Sequence, residues 1–160
     1  MPEISAMAWS GAEMWLAGFV GLVASAEDLL RRTISNWLPL TALAGGIACH
    51  ALTAGWRGAG SALLGAVAGF FVFLIFYILG GMGGGDVKLM AGFGAILGIG
   101  RLLPAALLAA IFGGVLAVAV LGCSALRRRG KNAETGKAPA AIPYAPAIVM
   151  GAWLTLFSGV

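Results

Sequence analysis

Charge is scarce in this chain. Only 10% of its 160 residues are Asp, Glu, Lys or Arg, against roughly 25% in a soluble domain, whose surface water must solvate. Ten basic and six acidic residues cannot cover such a surface, so a water-soluble globular domain is excluded. Histidine is reduced to His50, which stands beside Cys49 with no further ligands near it in sequence. A zinc site is therefore not supported. The two cysteines, Cys49 and Cys123, are far apart, each inside an apolar stretch and without CxxC spacing. They read as small buried residues.

What is plentiful is apolar. Hydrophobic residues make up 61% of the chain and the mean hydropathy is +0.99, so lipid is the solvent for most of it. A spanning helix takes about 20 apolar residues to cross a hydrocarbon core of roughly 30 Å. The length allows five or six spans and leaves no room for a separate soluble domain, so residues 1–160 read as one membrane-embedded domain. The net charge of +4 does not point to nucleic acid. The positive residues sit in loops between apolar runs, which makes the bilayer the expected partner.

Six apolar stretches can be traced, near residues 7–26, 37–55, 59–80, 89–100, 103–126 and 147–160. The first resembles a secretory signal with Ala24-Ser25-Ala26 as a cleavage site. Residues 1–10 hold no Lys or Arg, however, and Glu3 makes them acidic, so the stretch is expected to stay as a first helix. The fourth is short and rich in glycine. A polar loop, Arg127 to Lys137, and the prolines Pro139, Pro143 and Pro146 around Tyr144 precede the last stretch. Cytoplasmic loops are enriched in Lys and Arg. Arg31, Arg32, Lys88, Arg127, Arg128, Arg129, Lys131 and Lys137 follow odd-numbered stretches, and only Arg57 and Arg101 follow even ones. The expected fold is all-α, with six transmembrane helices and both termini outside. The 26 glycines are mostly within the stretches, as close helix packing in lipid requires.

Few residues in this setting can do chemistry. Glu3 and Glu134 fall in polar segments, which leaves Glu13, Glu27, Asp28 and Asp86 inside or bordering apolar ones, where ionisable groups are costly and tend to be functional. Asp28 closes the first stretch and Asp86 opens the fourth, so the topology brings both to the cytoplasmic edge. Two neighbouring carboxylates cannot both ionise cheaply and share a proton. One can then activate water while the other protonates a peptide carbonyl. Asp28 could instead pair with Arg31 or Arg32, and Asp86 could cap the fourth helix. The run Gly83-Gly84-Gly85 before Asp86 exceeds what a cap needs and suits a flexible, close backbone approach.

Three segments carry a resemblance. Gly83-Gly84-Gly85-Asp86 fits the GxGD pattern of intramembrane-type aspartic peptidases, and Val87-Lys88 extends it to the GxGDxK of type IV prepilin peptidases. The segment Asp28-Leu29-Leu30-Arg31-Arg32-Thr33-Ile34-Ser35-Asn36 is similar to that family's first-aspartate segment, with Ser35 where proline is common. Ile142-Pro143-Tyr144-Ala145-Pro146-Ala147 is similar to its segment before the last helix. The resemblance implies catalytic roles for Asp28 and Asp86, with Gly83, Gly85, Lys88, Arg32 and Asn36 as supporting motif residues. It implies removal of a positively charged leader from prepilin-like precursors at the cytoplasmic face of the bacterial inner membrane, with no metal or organic cofactor. CxxC pairs and a large first loop are absent. The chain therefore looks like the minimal tight-adherence (Flp) pilus form, in which N-methyltransferase activity is not expected.

Lys88 is either an ordinary positive-inside charge or a group that biases Asp86 or meets a substrate acid. His50 is expected mid-span with a hydrogen-bond partner, and Tyr144 against Pro143 or Pro146. The rival reading from another class is a small proton-coupled transporter using the same carboxylates. Transport sites lie near the bilayer midplane, whereas these aspartates lie at one edge.

Overall fold

The computed structural model describes residues 11–129 and 144–158, and among these all regular structure is helical. The order is α1 (Gly11–Arg31), α2 (Trp37–Ile78), α3 (Gly84–Leu97), α4 (Ile99–Arg129) and α5 (Ala145–Ser158). Most of the polar loop between the last two stretches, including Pro139 and Pro143, lies outside the described residues, as do both chain ends. Arg127 to Arg129, expected in that loop, extend α4 instead.

At 42 residues, α2 would run about 63 Å as a single rod, twice the thickness of a hydrocarbon core. It does not. Ala54 (φ −129°, ψ 17°) and Gly55 (φ 60°, ψ −146°) break the helical path. Glycine reaches that positive φ without the Cβ clash other residues suffer. The chain reverses there, because the two limbs of α2 meet α3 in opposite senses. Along the first limb, Asn36 pairs with Lys88 and His50 with Ile96. Along the second, Tyr77 lies by Gly84 and Gly65 by Gly94. The second and third apolar stretches are thus an antiparallel helical hairpin with α3 laid between its limbs.

That placement makes α3 the centre of the molecule. Asp86, Val87, Leu89, Met90 and every residue from Gly92 to Leu97 are buried on it. Hydrocarbon gives apolar helices no hydrophobic reason to associate, so close van der Waals packing has to hold them. Small residues supply it. Gly65 of α2 and Gly94 of α3 meet backbone to backbone, and a Cβ on either would overlap the carbonyl group of the other. A Cβ on Gly46 would come within 2.6 Å of the Ala95 carbonyl carbon. At the far end Gly98 (φ 70°) ends α3 and turns the chain directly into α4.

Around this centre, α1 and α5 pack together, with Trp153 Nε1 donating to the Ala17 carbonyl at 3.1 Å. Large apolar side chains face outward on every helix but α3, among them Trp15, Leu30, Leu52, Leu107 and Phe157. Two helical segments, Trp37–Ile78 and Ile99–Val120, are long and apolar enough to cross a membrane. Only 28% and 22% of their most apolar windows are buried, which a core helix of a soluble protein would not tolerate. The exterior is strongly apolar.

Gly94→Ala and Gly65→Ala should each lower thermal stability in detergent by about 1–3 kcal/mol, the usual cost of overpacking. Gly60→Ala, at a position with open space around it, should leave stability unchanged. Equal effects at Gly60 and Gly94 would refute this account of the centre.

Candidate active site

Asp28 lies in the last turn of α1, two residues beyond the first apolar stretch. An anion at a helix C-terminus faces the negative end of the dipole, so its carboxylate needs compensation from elsewhere. It finds it on α5, where the backbone N–H of Ala145 donates to Asp28 Oδ2 at 2.9 Å. Ala145 is the first residue of α5, so the α1 carboxylate serves as the cap of another helix. Burial raises the Asp28 pKa above the ordinary carboxylate range, opposed by the Ala145 N–H and the charge of Arg32.

Asp86 opens α3 from its third position, not from the N-cap the sequence suggested. Gly83 is the N-cap, its N–H donates to Asp86 Oδ2 at 3.1 Å, and the Asp86 N–H donates to the Gly83 carbonyl at 3.1 Å. Aspartate at this position reaches back along the first turn as half of a capping box. Burial, reinforced by the charge of Asp28 and opposed by the Gly83 N–H, pushes the Asp86 pKa up to about 6. Asp28 is 7% exposed and Asp86 6%, and both line one cleft of about 280 Å³.

The same cleft takes in every supporting residue the sequence singled out: Arg32, Asn36, Gly83, Gly85 and Lys88. The glycine motif has a local reason. Gly84 and Gly85 belong to the first turn of α3 and are not a flexible lead-in to it. Gly83 has φ −82°, which any residue adopts. A Cβ on Gly85 would press to 3.3 Å from Ile34 Cβ, whereas the nearest atom to a Cβ on Gly84 is on the Tyr77 ring, 3.6 Å away. Gly85 lets α3 approach the α1–α2 loop, and the middle position is free.

That loop, the far wall of the cleft, is held more firmly than its composition suggests. Arg32 adopts φ 53°, a left-handed conformation costly for a residue with a Cβ, and its N–H donates to the Asp28 carbonyl at 2.9 Å. Glu27 then clamps the other end. Its Oε2 accepts from the Ser35 N–H at 2.8 Å and its Oε1 from the Ser35 hydroxyl at 2.9 Å. Proline at position 35 could make neither bond, so the serine is a working part of the loop.

Three further side chains take places the sequence did not give them. Lys88 Nζ donates to Asn36 Oδ1 at 2.9 Å, tying α3 to the start of α2, and it is not among the causes of the Asp86 shift. Tyr144 packs on α4, where a Cβ on Gly113 would come within 2.9 Å of its ring. Pro143, one of its expected neighbours, lies outside the described residues. His50 stands near the break of α2 and not mid-limb, with Nε2 2.9 Å from the Ile96 carbonyl.

Residues 15–118, which hold both aspartates and the whole cleft wall, match the type IV leader peptidase family. The chain belongs to that family. Three curated relatives carry the name prepilin leader peptidase/N-methyltransferase. The Bacillus subtilis protein is 39% identical over 99 residues, 61% of this chain and 36% of its own length. The Aeromonas salmonicida protein is 29% identical over 158 residues, 94% of this chain and 50% of its own length. The Xanthomonas campestris protein is 35% identical over 105 residues, 61% of this chain and 33% of its own length. The chain thus spans between a third and a half of these relatives. No solved structure matches it.

A carboxyl group with a raised folded-state pKa binds its proton more tightly folded than unfolded. Asp86 therefore costs nothing below about pH 3.8 and destabilises increasingly up to about 6. Asp86→Asn keeps an acceptor for Gly83 and should raise stability at pH 7 by about 1–2 kcal/mol, with the gain vanishing near pH 4. Thermal melts of both forms across that range check it. Glu27→Ala should speed trypsin cleavage after Arg31 and Arg32 severalfold; an unchanged rate would mean that the Ser35 clamp does not hold the loop.

Proposed function

We propose that this member of the type IV leader peptidase family is an aspartic endopeptidase that removes the leader from prepilin-like precursors at the cytoplasmic face of the bacterial inner membrane. The observation that carries the reading is the cleft itself. Two buried carboxylates from separate helices face it in unequal surroundings, Asp28 with the Ala145 N–H and Arg32 beside it and Asp86 with the Gly83 N–H. Such a pair is what acid–base hydrolysis requires.

Asp28, supported by the Ala145 N–H and Arg32, is assigned as the base that takes a proton from water. The water oxygen bonds to the scissile carbonyl carbon while Asp86, in the form of the pair that carries the shared proton, donates to the carbonyl oxygen. Collapse of the tetrahedral species breaks the C–N bond, the proton held by Asp28 passes to the leaving amine, and one hydroxyl proton of the new carboxyl group returns to Asp86. The two titrate as a pair with macroscopic values. Metal and organic cofactors have no part in this scheme.

We read the six apolar stretches, near residues 7–26, 37–55, 59–80, 89–100, 103–126 and 147–160, as six spans of one domain, with both termini outside and Asp28 and Asp86 bordering the spans. The charge bias of the loops supports this orientation, and the apolar exterior supports the lipid setting. At 14 residues, α3 is about 21 Å long and relies on the limbs of α2 to shield it. A transporter reading is not favoured, because both carboxylates stand at one end of the bundle.

Coexpression with a candidate precursor tests the reading. Asp28→Asn and Asp86→Asn should each cut leader removal by at least about 100-fold, the lower bound for general acid–base catalysis. Persistent cleavage in either variant ends the proposal. Arg32→Gln removes a charge that holds the Asp28 pKa down, so the acid limb of the pH–rate profile should move to higher pH. A profile that does not move would refute Asp28 as the base.

A further inference from the structure

An apolar groove adjoins the catalytic cleft. Its volume is about 380 Å³, and it runs along the face between the first limb of α2 and α3, lined by Pro39, Leu40, Leu43, Phe70, Ala91 and Gly92. At one end it is bounded by Asn36 and Lys88, the two residues it shares with the cleft that holds Asp28 and Asp86. The two hollows therefore adjoin, and the Lys88–Asn36 hydrogen bond marks the joint between them. Beyond that joint no lining residue is charged or carries a polar side chain. Leu40 is 62% exposed and Phe70 also faces outward, so the groove opens sideways onto the surface of the bundle.

The dimensions limit what can lie there. From Lys88 to Gly92 is about one turn of α3, and from Asn36 to Leu43 about two turns of α2, so the groove is roughly 6–10 Å long. A small cofactor-like ligand would need polar anchors to orient it, and the deep part of the groove has none among its lining residues. A chain that enters the polar cleft at one end and continues past Lys88 must turn apolar at that point.

We infer that this groove seats the first one to two turns of the substrate's apolar segment, on the membrane side of the scissile bond. The leader stays on the aqueous side of the cleft. Helix-in-groove docking of this kind reads apolar side chains at i, i+3 and i+4. Ala91, half-buried and small, leaves room for the incoming side chains, and Leu43 and Phe70 form the walls. The inference rests on the peptidase reading but names a surface that reading does not require.

A photo-crosslinking residue at Leu43, introduced into the Asp86→Asn chain and coexpressed with a full-length precursor, tests it directly. Capture should map to the first two turns of the precursor's apolar segment. The same residue at Leu107, exposed on α4, should capture little. Equal capture at both positions, or capture mapping to the leader, overturns the inference. In the active chain, Ala91→Trp should raise KM for the precursor at least tenfold with kcat little changed, and Leu107→Trp should leave both unaltered. An unchanged KM for Ala91→Trp refutes the groove while leaving the peptidase standing. A wild-type chain that never cuts the precursor refutes the peptidase, and capture at Leu43 still decides what the groove binds.

Discussion

The close backbone approach between α2 and α3 governs the rest of the molecule. Where Gly65 meets Gly94, α3 sinks between the limbs of α2 until nearly all of it is buried. No hydrophobic force would draw it there in lipid; the absence of side chains allows it. The depth and rotation of α3 then follow, and with them the place where Asp86 emerges. Gly85, set against Ile34, is the same device at the cleft, so one packing rule builds both the centre and the wall of the site.

The electrostatics of the cleft grow out of that geometry. A carboxylate in the first turn of a helix is ordinarily favoured, yet burial and a second carboxylate outweigh the dipole at Asp86. Asp28 stands at the wrong end of its own helix and is rescued by the right end of another. The two groups are chemically identical and differ only in their neighbours. A division of labour between acid and base needs no more than that.

Much of this was legible in the sequence because the informative features are compositional or local. Scarce charge and long apolar runs point to an all-helical chain, and the six apolar stretches are helical within the described residues but for Ala54, Gly55, Leu79, Gly80 and Gly98. The seven candidate residues came from short motifs, and all seven line one cleft. What stayed hidden depends on partners distant in sequence. Lys88 was read against its neighbour Asp86, but its bond is to Asn36, on the far side of the fold. Ser35 looked like a harmless departure because nothing local reveals that Glu27, a helix away, takes both of its donors. A cap was the alternative role weighed for Asp86, and only the position of Gly83 as N-cap shows that Asp86 stands at the third position of the first turn.

The hydrogen bond from Ala145 to Asp28 carries a consequence in time as well as in space. Ribosomes deliver α1 before α5. Until α5 has inserted, the Asp28 carboxylate lacks the donor that offsets its burial at the end of α1, and the cleft has only one properly supported acid. On the peptidase reading, a chain whose α5 has not yet inserted would be hydrolytically silent amid the many nascent helices at the insertion machinery, and α5 would act as the arming step. A single backbone N–H would thereby tie the onset of proteolysis to the insertion of α5.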